Sequence, residues 1–198
     1  MDSEPTGLVL AGGAGTRMGS PKPLVELAGS PLLLHSVRAV EAAGLAPAVI
    51  AKPDSELPRL EAPVFREPRQ PRHPLLGIVS AISGRAGTEI AGPAVVIACD
   101  MPFVPPSLLE WLAGLSEPLV VCEGGGRLQP LLGRYDPSLE PELDAAIEAG
   151  TSAQEAVRAL GARVVSEAEL SNFGPPERVL FNVNDPSDLA EAERMARA

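Results

Sequence analysis

A glycine-rich turn near the amino terminus carries residue types that bind phosphate groups. The stretch LVLAGGAGTRMGSPKPL (residues 8–24) runs from an apolar strand into a turn crowded with glycines, and an arginine and a lysine follow. Glycines let backbone N–H groups approach an anion closely, while a guanidinium and an ammonium supply bidentate and point-like positive charge. The turn therefore predicts a loop that holds the phosphates of a nucleotide. Its candidate residues are Gly12, Gly13, Gly15, Arg17 and Lys22.

Two familiar phosphate-binding patterns do not fit this spacing. A P-loop needs a Gly-Lys pair, and the sequence contains none. The dinucleotide fingerprint G-x-G-x-x-G fails because the third glycine, Gly19, comes one residue late, and no acid ends the second apolar run, PAVIA. The spacing thus excludes the P-loop and argues against NAD binding.

Composition and charge narrow the class of partner. The chain of 198 residues has a formal net charge of −10, which argues against a nucleic-acid surface because phosphate backbones are bound by clustered Lys and Arg. The acidic start MDSEPTG lacks the basic and apolar regions of a signal peptide, and no 18 apolar residues run together. We therefore expect a cytoplasmic protein that binds small molecules and neither membranes nor nucleic acid. Cys99 and Cys122 form no CxxC motif and are expected to be buried thiols.

The elements that must position the loop follow from hydrophobic periodicity. Short apolar runs alternate with amphipathic stretches, a pattern typical of a mostly parallel sheet between two helical layers. We expect one domain with a three-layer α/β/α, Rossmann-like fold. The predicted strands cover residues 8–11, 47–51, 94–98, 118–122 and 128–135, and the predicted helices cover 30–44, 75–83, 108–115, 138–150, 152–161 and 185–198.

Helix starts are predicted from capping patterns. Serine or aspartate before an apolar-periodic run indicates an N-cap, and a glutamate three residues later completes a capping box. The predicted caps are Ser30 with Pro31 at the first helical position, Ser107 with Glu110, Ser152 with Glu155, and Asp185 before Pro186.

Several segments together resemble one enzyme family. LAGGAGTRMGSPKPL (residues 10–24) is similar to the L-A-G-G-x-x-x-R-M-G-x-x-K signature of nucleotidyltransferases of the molybdenum cofactor guanylyltransferase (MobA) type. HPLLGIVSAI (73–82) and ACDMPF (98–103) resemble later family blocks. So do RLQPLLGRY (127–135) and the ending FNVNDPSDL (181–189). The resemblance covers nearly the whole chain in the same order.

The resemblance implies a role for each matching residue. Arg17, Lys22 and Asp100 would be catalytic, and Asp100 would hold Mg2+. Glu67 falls where the family carries an acid that reads guanine, and Asn182 and Asn184 correspond to asparagines near the acceptor. The implied nucleotide-binding residues are Leu10, Ala11, Gly12, Gly13, Gly15, Lys22, Glu67 and Asp100.

The implied reaction transfers GMP from Mg-GTP to the phosphate of molybdopterin and releases pyrophosphate. Residues 1–104 would bind the nucleotide and residues 105–198 the acceptor. Other cofactor-biosynthesis proteins or molybdoenzymes would be transient partners.

Three alternatives stay open. Pro21 stands where the family carries aspartate, and SPKPLV (20–25) resembles sugar-phosphate nucleotidyltransferases, so the acceptor could be a sugar phosphate or cobinamide phosphate. Glu67 replaces an aspartate, which leaves CTP open. Pro21 and His73 also leave open a nucleotide-binding module without turnover.

Overall fold

Seven strands form one sheet in the computed structural model, which describes residues 3–12, 18–87 and 90–197. The strands of this sheet are β1 (Thr6–Leu10), β4 (Ala46–Ala51), β5 (Val64–Arg66), β6 (Ala94–Ala98), β7 (Leu119–Gly124), β8 (Arg127–Tyr135) and β9 (Arg163–Val165). Their order across the sheet is β5-β4-β1-β6-β8-β7-β9. Two further strands, β2 (Glu26–Leu27) and β3 (Ser30–Pro31), form a separate two-stranded hairpin.

The sheet is mostly parallel. Strand β1 at its centre pairs in parallel with β4 and β6, and β4 pairs in parallel with β5. Strand β8 runs antiparallel to both β6 and β7, and β9 is parallel to β7. The predicted three-layer α/β fold is therefore confirmed, and the carboxyl ends of β5, β4, β1 and β6 lie side by side along one edge.

Helices cover both faces because successive strand residues point to opposite sides. Leu8 belongs to one apolar core and Val9 to the other, and the same alternation separates Val96 from Ile97. The helices are α1 (Leu32–Ala42), α2 (Leu76–Ile82), α3 (Pro106–Ala113), α4 (Glu140–Glu148), α5 (Ala153–Ala159), α6 (Glu167–Leu170), α7 (Pro176–Val179) and α8 (Pro186–Arg197). Two short 3-10 helices cover Lys22–Leu24 and Pro137–Leu139.

A third, smaller apolar cluster ties the end of the chain to its start. Leu27 and Leu32, beside the β2–β3 hairpin, are buried against Val183 and against Ala192 of α8. This packing brings the segment before α8 beside the loop that follows β1. Within the described residues, no helix is long and apolar enough to cross a membrane.

The predicted caps have mixed outcomes. The Ser152–Glu155 capping box is confirmed, and Oδ1 of Asp185 accepts a hydrogen bond from the N–H of Asp188, as an N-cap should. The predicted cap at Ser107 is wrong, because Pro106 already occupies the first helical position. The predicted cap at Ser30 is also wrong, because this residue pairs with Leu27 in the hairpin. No sequence pattern predicted β5, β9, α6 and α7, which have three or four residues each.

Candidate functional site

Four neighbouring strand ends deliver four polar or glycine positions to one edge of the sheet. Glu67 follows β5, Lys52 follows β4, Gly12 lies two residues beyond β1, and Asp100 lies two residues beyond β6. Backbone hydrogen bonds hold these segments together, for example from the N–H of Ala11 to the carbonyl of Ile50 at 2.7 Å. The strand order therefore places these positions in a row.

A three-residue polar cluster lies at the β6 end of this row. Nζ of Lys22 lies 2.6 Å from Oδ2 of Asp100 and donates a hydrogen bond of 2.8 Å to Oδ1 of Asn184. The N–H of Val183 bonds to the carbonyl of Asp100 at 2.9 Å, which fixes the backbone beside Asn184. The Lys22 ammonium is thus held between a strand-end carboxylate and the segment that precedes α8.

Asp100 has an oxygen available for a further ligand. Its Oδ1 atom is buried and has no hydrogen-bond partner among the residues that the structure describes. A buried carboxylate oxygen without a partner is costly unless a cation or a donor occupies it. Mg2+ typically takes one or two carboxylates and completes its shell with phosphate and water oxygens, so a single Asp100 fits such an ion. In the described part of the chain, no group of three His, Cys, Asp or Glu residues forms an all-protein metal site.

A second ion pair lies at the other end of the row. Nζ of Lys52 is 3.0 Å from Oε1 of Glu67, whose side chain is only 6% exposed. The carboxylate fits closely between two glycines, because a Cβ on Gly12 would lie 2.4 Å from Oε1 and a Cβ on Gly77 would lie 3.0 Å from Oε2. Because glycine has no side chain, Gly12 and Gly77 leave space for the Glu67 carboxylate.

One cavity of about 850 Å³ connects the two ion pairs. It is large enough for a nucleotide, since small-molecule sites usually measure about 300–1,000 Å³. Its lining includes Leu10, Gly12, Lys22, Lys52, Glu67 and Asp100.

A second cavity of about 620 Å³ is also lined by Asp100. Asn182 lines it, while its own Nδ2 bonds to the carbonyl of Leu180 at 2.8 Å. The exposed residues Arg127 and Arg158 line the same cavity and offer positive charge to an anion, and the acidic residues Asp100 and Glu155 line it as well. The two cavities share Pro74, Ala98, Asp100 and Leu131.

His73 connects the walls of the two cavities. Nδ1 of its ring accepts a hydrogen bond of 3.2 Å from the N–H of Leu75, so Nε2 carries the proton and donates to the carbonyl of Thr151 at 2.7 Å. His73 lines the first cavity, and Ser152, beside Thr151, lines the second. Both ring nitrogens are hydrogen-bonded to backbone groups, so the imidazole links the segment before α2 to the segment before α5.

Cys99 also lines the first cavity, but its thiol is inert at neutral pH. Burial, together with the negative charge of Asp100, raises the pKa of Cys99 to about 12. Burial raises the pKa of Cys122 to about 12 as well. Both are free and buried, as predicted, and a protonated thiol is a poor nucleophile and metal ligand.

The structure brings most of the predicted site residues together. Leu10, Gly12, Lys22, Glu67 and Asp100 line the first cavity, and Ala11 is buried beside it. Asn184 contacts Lys22, whereas Asn182 faces the second cavity. Gly13, Gly15 and Arg17 lie outside the described residues.

Sequence reasoning missed three charged residues of the site, Lys52, Arg127 and Arg158. Lys52 had a usable signal, because it directly follows an apolar strand run at the edge where ligands bind. Arg127 and Arg158 had none, since single arginines in a hairpin and on a helix are usually solvated charges.

The sequence of this chain is similar to those of one family of enzymes. The sequence profile of the MobA-like NTP transferase domain matches residues 7–171. A molybdenum cofactor guanylyltransferase of Cereibacter sphaeroides is 33% identical over 195 residues, which cover 96% of each chain. A probable molybdenum cofactor guanylyltransferase of Pelotomaculum thermopropionicum is 32% identical over 96% of this chain and 93% of its own.

Solved structures give the same picture. Molybdopterin-guanine dinucleotide biosynthesis protein A of Archaeoglobus fulgidus is 26% identical, superposes with a TM-score of 0.77, and the match covers 97% of this chain and 98% of that one. The 2-C-methyl-D-erythritol 4-phosphate cytidylyltransferase of Thermus thermophilus is 21% identical with a TM-score of 0.65, over 99% of this chain and 100% of its own. The second protein shares the fold alone.

Proposed function

Because the chain belongs to the MobA-like NTP transferase family, it is a nucleotidyltransferase, and we propose that it transfers GMP from Mg-GTP to the phosphate of molybdopterin. The relatives named molybdenum cofactor guanylyltransferase, similar over nearly their whole length, support this choice of substrates. The observation that carries the proposal is the meeting of two cavities at Asp100, beside Lys22. Two substrates bound in these cavities would react across that carboxylate.

GTP would occupy the first cavity. Its base would lie toward Glu67, at the end of β5, and its phosphates toward Lys22 and the loop after β1. Leu10, Ala11 and Gly12 would line the nucleotide, and Gly13, Gly15 and Arg17 of the same loop would complete the phosphate site, as their match to the family signature implies. Residues 1–104 would thus supply the nucleotide half.

The acceptor would occupy the second cavity, in the half formed mainly by residues 105–198. Arg127 and Arg158 supply positive charge for its phosphate, and Asn182 lies in the same wall. Asn184 would act from the side of Lys22, to which it is bonded. The acceptor phosphate could then approach the α-phosphate from the side opposite the leaving group.

The proposed reaction needs positioning and charge neutralisation. An acceptor phosphate oxygen bonds to the α-phosphorus, the bond from that phosphorus to the oxygen bridging to the β-phosphate breaks, and pyrophosphate leaves with the electron pair. Lys22 and Arg17 would neutralise charge on the phosphates. When bound at Asp100, Mg2+ would neutralise further charge on the reacting phosphates. No protein nucleophile is required, in keeping with the protonated thiol of Cys99.

The test is pyrophosphate release by the purified chain with Mg2+. GTP and CTP are each combined with molybdopterin, cobinamide phosphate and a sugar phosphate, and Asp100→Asn serves as the matched inactive variant. We expect release with GTP and molybdopterin only. Preference for CTP or for another acceptor would contradict the substrate choice. GTP binding without release for any acceptor would instead identify a nucleotide-binding module without turnover.

A cytoplasmic location and transient contacts with other cofactor-biosynthesis proteins or molybdoenzymes also stay predictions. The test of the contacts is co-purification of the tagged chain with such proteins.

A further inference from the structure

Lysine is rare in this chain, and both lysines line the first cavity. Lys22 and Lys52 are the two lysines, and all the rest of the 16 Lys and Arg residues are arginines. Each lysine is paired with a carboxylate at a strand end, Lys22 with Asp100 and Lys52 with Glu67. The first pair faces the proposed phosphate and metal region. In the second pair Glu67 faces the proposed base, whereas Lys52 has no role in the chemistry described so far.

The Lys52 ammonium is held in place by groups around it. Its backbone carbonyl accepts a hydrogen bond of 2.7 Å from Nη1 of Arg66. Its Nζ atom donates to the carbonyl of Pro68 at 3.2 Å and lies 3.0 Å from Oε1 of Glu67. An ammonium has three N–H donors, and the described residues use two of them, so one donor is left for a ligand in the cavity that Lys52 lines.

Glu67 presents a fixed acceptor next to that donor. Its side chain is 6% exposed, and Gly12 and Gly77 pack against its two oxygens. Oε1 faces Lys52, and Oε2 lies beside Gly77. A carboxylate has about four lone-pair sites, so Glu67 can accept further hydrogen bonds from a ligand in the cavity that it lines.

We propose that Lys52 is a specificity-determining residue that donates a hydrogen bond to the 6-oxo group of a purine base, while Glu67 accepts from N1–H and the 2-amino group. This inference rests on the proposed use of GTP. A 6-oxo-2-aminopurine carries one acceptor beside two donors along one edge, which matches one cationic donor beside one carboxylate. A 6-aminopurine would place a donor against the ammonium and leave both groups unpaired.

The test is a set of binding affinities for three triphosphates, measured by calorimetry on the full chain with Mg2+. GTP has the 6-oxo group, N1–H and the 2-amino group, and ITP lacks only the 2-amino group. The triphosphate of 2,6-diaminopurine riboside keeps the 2-amino group but has a 6-amino donor in place of the 6-oxo acceptor and an N1 acceptor in place of N1–H. We expect Lys52→Met to weaken GTP and ITP by a similar factor of about ten, since a good hydrogen bond to a charged group is worth about that much. The affinity for the diaminopurine nucleotide should change by less than about twofold, because its 6-amino group gives Lys52 no acceptor at the position of the 6-oxo group.

Matched variants separate base reading from support of Glu67. Glu67→Gln should weaken the binding of GTP more than that of ITP, because ITP has no 2-amino group and so makes no such hydrogen bond to Glu67. Arg59→Met removes one positive charge from an exposed residue outside the cavity and should leave all three affinities unchanged. If Lys52→Met copies the Glu67→Gln pattern, or weakens all three ligands equally, Lys52 only positions the carboxylate and the inference is overturned.

Further outcomes keep this inference distinct from the proposed function. Lys52→Gln replaces Lys52→Met if the latter unfolds early in a thermal melt. Equal wild-type affinity for GTP and the diaminopurine nucleotide overturns the inference without any variant. If wild type still releases pyrophosphate with GTP and molybdopterin in that case, the proposed function stands. If wild type prefers CTP, the proposed function itself fails.

Discussion

Nζ of Lys22 lies 2.6 Å from Oδ2 of Asp100, although 78 residues separate them in the chain. The pair joins the loop after β1 to the end of β6, and both side chains are mostly buried, with 11% and 18% exposed. Buried charges of this kind are retained at a cost and suit the phosphate and cation site that we propose.

The first prediction concerns this pair directly. Lys22→Ala and Asp100→Ala should each lower the rate of pyrophosphate release by at least about 100-fold, because each removes a charge that faces the reacting phosphates. Steady-state assays with GTP and molybdopterin measure the rates, and circular dichroism checks that the fold is intact. Full Mg2+-dependent turnover by folded Asp100→Ala would rule out its metal-binding role. Asp100→Asn, which keeps the shape and loses the charge, is the matched control.

A second prediction separates the two asparagines. Asn184 accepts a hydrogen bond from Lys22, whereas Asn182 lines the second cavity. We expect Asn184→Ala to lower kcat about tenfold with little change in the KM for the acceptor, because one hydrogen bond to a charged group orients Lys22. Asn182→Ala should mainly raise the acceptor KM. The opposite pattern in initial-rate kinetics would show that the two roles are exchanged.

A third prediction tests whether the second cavity binds the acceptor's anionic phosphate. Arg127→Met and Arg158→Met should each raise the KM for the acceptor about three- to tenfold, because each removes one exposed positive charge near the acceptor phosphate. GTP affinity should stay unchanged, since neither residue lines the first cavity wall with Glu67 and Lys52. Arg59→Met is the matched charge control. An increase in the GTP dissociation constant would contradict the assignment of the two cavities.

Local sequence patterns predicted some parts of this site and not others. Asp100 could be predicted because the apolar run AVVIA ends two residues before it, and parallel strand ends meet at one edge. The contact between Lys22 and Asn184 spans 162 residues and depends on α8 packing against the β2–β3 hairpin, so no local pattern predicts it. Strand β5 has three residues in a proline-rich stretch, too few for a recognisable alternation, and it is the strand that delivers Glu67.

The last prediction concerns the pH dependence of stability. Burial raises the pKa of the Cys99 and Cys122 thiols from 9.0 to about 12. Above pH 9 the unfolded chain therefore loses these two protons while the folded chain keeps them. The unfolded state then binds fewer protons, so the free energy of unfolding must fall as pH rises.

Between pH 9 and 12 we expect the free energy of unfolding to fall by about 1.4 kcal/mol per pH unit for each thiol. Burial also raises the pKa of Tyr135, which adds to the loss at the upper end of this range. Urea unfolding at several pH values measures the slope. Cys122→Ala should lower the slope by about one thiol's share, whatever its effect on stability at neutral pH. Cys122 lies away from the cavities that meet at Asp100. An unchanged slope in Cys122→Ala would mean that the Cys122 thiol ionises as readily in the folded chain as in the unfolded one.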